Sequence, residues 1–200
     1  MHAIHDVATE RLQTDSKIFA FTRWDIIPIA AELLHLTYFF GMFFLFPHAP
    51  LWVMLILGFI YSVSISWNIN GISHNFIHNP YFRWPILNRL FSVLESISVG
   101  FSQVFYDCIH MQHHKGNADR PNEQGETIDW ISIYKHGHDG EPEHPLSYTF
   151  LSFFREDPKT VFHALMRKDK REAFWGVLEL TLFVGTFVTP GILNWHYILF

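Results

Sequence analysis

Two short histidine clusters are the residues of this sequence best suited to chemistry. His74 and His78 stand four residues apart. His110, His113 and His114 stand at positions i, i+3 and i+4. Residues at these spacings share one face of a helix. Neutral imidazole is a common nitrogen ligand for zinc, iron and copper, so the pattern predicts one metal site built from these five side chains.

The composition of the 200-residue chain indicates a membrane protein. It is 49% hydrophobic and 18% aromatic, and only 16% of its residues are charged. No Asp, Glu, Lys or Arg occurs between Glu32 and Arg83, and a bilayer accommodates so long an uncharged run better than a small soluble domain does. The sequence has no basic block that would favour nucleic acid as a partner. Cys108 is its single cysteine, which excludes a disulfide framework and a thiolate zinc site.

The hydrophobic segments predict an all-α, multi-pass membrane helical bundle with a cytosolic histidine-rich cap. A cytosolic lead of residues 1–23 precedes a membrane domain of residues 24–200. We expect an interfacial or re-entrant helix over residues 86–106. We also expect a cytosolic loop with short helices over residues 115–172. A spanning helix needs about 20 apolar residues. The expected spans cover residues 26–46, 51–76 and 173–188, and a fourth begins over 192–200 after a turn at 189–191.

The basic residues predict which side of the membrane the histidines face. All Lys and Arg residues lie within 1–23, 83–89 or 115–171. The positive-inside rule places these segments, and with them both histidine clusters, in the cytoplasm. If the 86–106 helix crossed the bilayer, the clusters would lie on opposite sides. Its return to the same side is therefore part of the prediction.

Several other polar residues have two alternative roles. Asn70 and Asp107 lie one helical turn before the first histidine of each cluster. Either could fix the tautomer of a ligand imidazole or be an ordinary interfacial residue. Glu32, His35 and Glu179 lie within expected spans, where ionisable groups are costly and often functional. Polar contacts between helices explain these three equally well.

The ligand set narrows the choice of metal. Five imidazoles exceed what a four-coordinate zinc ion with an open position can use, and an all-histidine set does not favour Cu(I). A pair of iron ions that binds dioxygen fits better, and the natural substrate at a membrane face is a lipid. A non-catalytic membrane metal-binding or transport protein and a bis-histidine haem protein remain as alternatives.

The two clusters resemble the first two histidine boxes of the integral-membrane fatty acid desaturases and of their hydroxylase and carotenoid ketolase relatives. The two spans before the first cluster and the polar loop after the second are similar too, and the resemblance covers about residues 24–200. It implies a non-haem di-iron centre with O2 as co-substrate. The implied iron ligands are His74, His78, His110, His113 and His114.

The resemblance also implies a reaction in lipid metabolism. The expected reaction is desaturation, or hydroxylation, of a fatty acyl chain with two electrons from a ferredoxin or a cytochrome b5-like protein. A carotenoid or sterol oxygenase of the same superfamily is the alternative.

One part of the family pattern is missing from the sequence. The family has a third histidine box on the cytoplasmic side after the fourth span, whereas here His196 stands alone and is expected on the far side. We therefore expect a C-terminally incomplete site, and no activity from these 200 residues as they stand.

Overall fold

Helices joined by turns account for the regular structure of the protein. The computed structural model describes residues 17–116, 119–155, 157–193 and 195–196. No strand occurs among these residues, although an isolated antiparallel bridge joins Phe19 and Phe82. The predicted all-α class is therefore confirmed. Most of the expected N-terminal lead lies outside the described residues.

The chain divides into two compact units. Unit 1 comprises Met1–Phe101 and Glu179–Phe200, and unit 2 comprises Ser102–Leu178. One boundary between the units falls within the last helix. The expectation of one membrane domain over residues 24–200 stays a prediction.

Unit 1 contains the longest apolar helices. A 3-10 turn, Arg23–Asp25, leads into its first helix. Pro50 then ends the connection to the second helix, because proline suits the position just before or at the start of a helix. The helices are α1 (Ile26–Leu45), α2 (Leu51–Asn68), α3 (His74–His78) and α4 (Pro85–Val99).

Three helical segments among the described residues are long and apolar enough to cross a membrane. They are Arg23–Leu45, Leu51–His78 and Lys170–Leu193. Large apolar side chains such as Phe44 and Phe59 project outward from the first two, as expected where lipid is the solvent.

A buried aromatic cluster fixes the end of the second segment. Phe91 on α4 packs edge-on against Phe76 and Tyr81, with ring centroids 4.9 and 5.4 Å apart. The Tyr81 hydroxyl donates a hydrogen bond of 3.1 Å to the carbonyl of Ile72. Tyr81 therefore ties the loop after α3 to the turn before it.

Unit 2 combines three helices with an irregular loop. They are α5 (Gln103–Gly116), α6 (Pro145–Arg155) and α7 (Pro158–Lys168), and α8 (Lys170–Leu193) begins in this unit. Helix α7 starts at Asp157, whose carboxylate accepts a hydrogen bond of 3.0 Å from the Lys159 amide. It buries Val161 and Leu165 and packs on α5.

The segment expected to form one helix over residues 86–106 is two helices. Helix α4 ends at Gly100, whose φ of 87° lies in the left-handed region that glycine tolerates. Ser102 then caps α5 by accepting a hydrogen bond of 3.2 Å from the Phe105 amide. The break gives the second histidine cluster a helix of its own.

The expected turn at residues 189–191 is wrong over the described residues. Helix α8 continues through Pro190 to Leu193, so the expected third span and the first two residues of the expected fourth lie in one helix. The Thr189 hydroxyl donates to the Gly185 carbonyl at 2.8 Å. Membrane helices tolerate proline where other groups compensate for its missing backbone hydrogen bond.

Candidate functional site

The first histidine pair follows a change in helix type. A π-helical turn, Ile69–Ser73, joins α2 to α3. Such a turn contains an extra residue and therefore re-aims the side chains after it, and π-turns are frequent at functional sites. The imidazole rings of His74 and His78 lie 5.0 Å apart between centroids, and ligand nitrogens of the two lie within 4.8 Å of each other.

Apolar packing holds this pair in place. Ile72 and Phe76 are buried on the inner face of the segment, whereas His74 is half-buried and His78 is exposed. The two histidines therefore share the open face that the helical spacing predicts.

The second pair lies on α5. The Nε2 atoms of His110 and His114 are 2.8 Å apart, and their rings are nearly perpendicular at 87°. Two nitrogens bound to one ion at about 2.1 Å and at a right angle to each other would be about 3 Å apart. The two nitrogens therefore converge as a chelating pair does, at a separation where an N–H of one ring can also donate to the other.

His113 has a carboxylate partner that the sequence spacing did not predict. Its Nδ1 donates a hydrogen bond of 2.8 Å to Asp129 Oδ2. The Asp129 side chain is 0% exposed, and that of His113 is 36% exposed. A carboxylate that accepts from Nδ1 leaves Nε2 with its lone pair for a metal. The His113 ring centroid lies 6.1 Å from those of both His110 and His114.

The loop around Asp129 is itself held by hydrogen bonds. Asp119 accepts 2.8 Å hydrogen bonds from the backbone amides of Ile128 and Asp129. Gly116 at the end of α5 makes room for this loop, because a Cβ there would lie 2.4 Å from the Asp129 Cβ. Helix α5 and the loop are thus fitted together at the point where Asp129 meets His113.

For the two residues expected beside the ligands, the structure gives one hydrogen bond of Asn70 and one electrostatic effect of Asp107. The Asn70 amide donates to the Ser66 carbonyl at 2.8 Å, one turn back along its own helix. The Asp107 carboxylate adds to the effect of burial in raising the pKa of the neighbouring Cys108 thiol. A role for either in orienting a ligand stays a prediction, whereas Asp129 makes a direct contact with His113. Asp129 is distant in sequence and lies in a loop, so helical periodicity could not identify it.

A second group of histidines lies elsewhere in unit 2. His136, His138 and His144 line a cavity of about 370 Å³ together with Glu143 and Arg155. Arg155 donates to both carboxylate oxygens of Glu143 at 2.7 Å. Among the described residues, the side chains of this group do not converge as metal ligands do. The two histidine pairs are therefore the better candidates for a metal site.

Comparison with known families identifies the family of the chain that carries these histidines. The family model described as "Fatty acid desaturase" matches residues 48–200. The match covers more than half of the chain and includes both histidine clusters. The chain belongs to the fatty acid desaturase family. The resemblance predicted from the sequence is therefore confirmed. The family and the apolar helices together make this desaturase-family chain a membrane protein with the general character of an oxidoreductase. It has no match among curated proteins and none among solved structures.

The donor chemistry of each pair fits the iron that this family generally uses. Each pair offers neutral imidazole nitrogens close together, a ligand type that suits iron. Asp129 adds a third histidine held in the tautomer that a metal requires.

Proposed function

We propose that this protein is a multi-pass integral membrane, non-haem di-iron oxidoreductase. It uses O2 and two electrons to desaturate a fatty acyl chain. The observation that carries the proposal is the presence of two closely spaced imidazole pairs within a desaturase-family chain. The proposed iron ligands are His74, His78, His110, His113 and His114.

The chain's own residues would hold and orient the metal. Bound iron would supply the activation of O2 that breaking an unactivated C–H bond requires. His110 and His114 are already arranged to share an ion, and Asp129 prevents rotation of the His113 ring. In the overall reaction the acyl chain loses two hydrogen atoms, and O2 takes up these, two electrons and two protons to give two waters.

The proposed topology places the histidines on the cytoplasmic side. Helices α1, α2 and α8 are long and apolar enough to span. The basic residues flank the histidine segments and are missing from the 47–50 connection, as the positive-inside rule requires of the cytoplasmic face. A soluble electron donor, a ferredoxin or a cytochrome b5-like protein, would deliver electrons there.

Product analysis tests the reaction. The full-length protein, its His110→Ala variant and a His163→Ala control would be expressed in a host that contains acyl lipids, carotenoids and sterols. His163 is an exposed histidine on α7. His163→Ala therefore makes the same substitution at a histidine outside the two pairs. We expect a new acyl double bond with the wild type and the control, and none with His110→Ala.

Other products would redirect or overturn the proposal. A hydroxylated acyl chain would replace desaturation by hydroxylation at the same centre. An oxidised carotenoid or sterol would contradict the acyl substrate, and an unchanged lipid profile with a folded, iron-loaded protein would contradict the reaction itself.

A further inference from the structure

Two glutamates lie side by side in the interior of unit 1. Glu32 on α1 and Glu95 on α4 are both 0% exposed, and their carboxyl groups interact directly with each other. An ionised carboxylate only accepts hydrogen bonds, so a bond between two carboxyl groups requires a proton on one of them. Two adjacent carboxylates in a low-dielectric interior cannot both be ionised.

Neighbouring residues donate a hydrogen bond to one oxygen of each carboxyl group. The second oxygen of each is left to interact with the other glutamate. Asn68 Nδ2 donates to Glu32 Oε2 at 2.5 Å, and Ser73 Oγ donates to Glu95 Oε2 at 2.6 Å. The Oε1 atom of each glutamate receives no hydrogen bond from a hydroxyl or amide among the described residues. A single proton shared by the two acids accounts for both observations.

The groups that face the pair are neutral. Ser98 lies beside Glu32. Next along α1 is His35, whose Nδ1 lies 2.8 Å from the Asn68 amide nitrogen and therefore accepts its hydrogen bond. On the Glu95 side lies the Tyr81 phenol, which keeps its proton because burial raises its pKa. Among the described residues no cation neutralises the pair, so a retained proton limits its charge.

These contacts form a continuous chain of hydrogen-bonding groups. From one end, Ser64 Oγ is 2.8 Å from His35 Nε2, and His35 then contacts Asn68. Asn68 leads to the two glutamates, and Glu95 leads to Ser73. Ser73 immediately precedes His74 in the sequence. The chain therefore ends at the segment that carries the first histidine pair.

We propose that Glu32 and Glu95 form a buried proton-holding site in which the two carboxyl groups share a single proton. The proton lies between the Oε1 atoms, where neither carboxyl group has another donor among the described residues. Asn68 and Ser73 meanwhile donate to the Oε2 atoms.

Another buried glutamate provides a matched control. Glu179 on α8 is 1% exposed, and Ser92 donates to its Oε1 at 2.5 Å. It belongs to unit 1 and is also a buried acid in an apolar helix, but it lies outside the chain from Ser64 to Ser73. Glu179→Gln therefore makes the same chemical change away from the Glu32–Glu95 pair.

Infrared spectroscopy of the purified full-length protein tests the shared proton. At pH 8 exposed carboxyl groups are ionised, so a carboxylic-acid C=O band that shifts in D2O reports a buried protonated acid. We expect this band in the wild type and in Glu179→Gln. We expect its loss in both Glu32→Gln and Glu95→Gln, because in each variant the glutamine amide replaces the proton as donor.

Every other pattern of infrared bands contradicts a proton shared by the two glutamates. A missing band in the wild type shows that neither acid holds a proton. A band that persists in both variants shows that the proton behind it is not shared by the two acids, and loss in one variant only assigns the proton to that residue. Loss in Glu179→Gln instead places the proton outside the pair. Gel filtration and near-UV circular dichroism establish folding, and either variant alone, set against the wild type, is enough to contradict the sharing.

Discussion

The two histidine segments are positioned by different forces. His74 and His78 follow a long apolar helix, and the buried side chains of Phe76 and Phe91 hold their segment. The second segment depends on polar contacts, because the buried carboxylate of Asp129 holds His113 and is itself held by its loop.

This difference determines what each segment can tolerate. A packed aromatic cluster is cooperative, so damage to it lowers the stability of the whole unit. A carboxylate that orients one imidazole acts locally, so its loss changes metal affinity more than folding. Variants that separate stability from affinity therefore test the comparison.

The largest expected effect is on the first segment. Phe91→Ala leaves a cavity in the aromatic cluster and should lower the free energy of unfolding by about 3–5 kcal/mol. Thermal unfolding in detergent measures this. Leu90→Ala on the same helix is the control, because Leu90 is exposed. Equal losses of unfolding free energy in Phe91→Ala and Leu90→Ala would show that packing of the aromatic cluster does not hold this segment.

The next effect concerns the second segment. Asp129→Ala frees the Nδ1 of His113 and should weaken metal binding about 10–100-fold. Titration with Fe(II) under anaerobic conditions measures the affinity, and Glu123→Ala, an exposed acid in the same loop, should leave it unchanged. If Asp129→Ala keeps full affinity, the carboxylate does not orient a ligand.

A smaller effect is expected at the junction of α5 with the Asp129 loop. Gly116→Ala would place a Cβ 2.6 Å from the backbone nitrogen of Asp129, and the backbone must move to relieve this. We expect a loss of about 1–3 kcal/mol, measured by thermal unfolding. Gly41→Ala in α1 meets no atom within 4 Å and should cost nothing; a neutral Gly116→Ala would show that the close approach is not needed.

The smallest effect, expressed per pH unit, is the pH dependence that Glu95 gives unit 1. Burial, reinforced by the Glu32 carboxylate, raises the pKa of Glu95 from 4.5 to about 9. Between these values the folded state binds more protons than the unfolded state, so the free energy of unfolding falls as pH rises. The slope is at most about 1.4 kcal/mol per pH unit.

Thermal unfolding between pH 5 and pH 9 measures this slope in the wild type and in Glu95→Gln, over the window set by the pKa shift. The variant should lose most of the dependence. The same slope in both proteins would show that another group causes it.

Sequence reasoning succeeded where local patterns decide the structure. Long apolar runs ended by prolines are sufficient to predict α1 and α2, and helical spacing is sufficient to pair His74 with His78 and His110 with His114. These features depend on neighbours within a few residues.

The parts that were missed depend on tertiary contacts. Within the π-turn before His74, only Gly71 disfavours a regular helix. The turn also contains Ile72, whose carbonyl accepts the hydrogen bond from Tyr81. Asp129 reaches His113 across a loop, a contact that no helical period reveals. At Pro190 the local turn signal was misleading, because the apolar helix around it continues.

The iron content of the purified protein tests the central claim most directly. We expect about two iron ions per wild-type chain, as a two-metal site requires. His110→Ala should lose most of this iron, and His163→Ala should keep it. Less than one iron per wild-type chain, or an iron content that His110→Ala leaves unchanged, would contradict a di-iron centre held by these histidines.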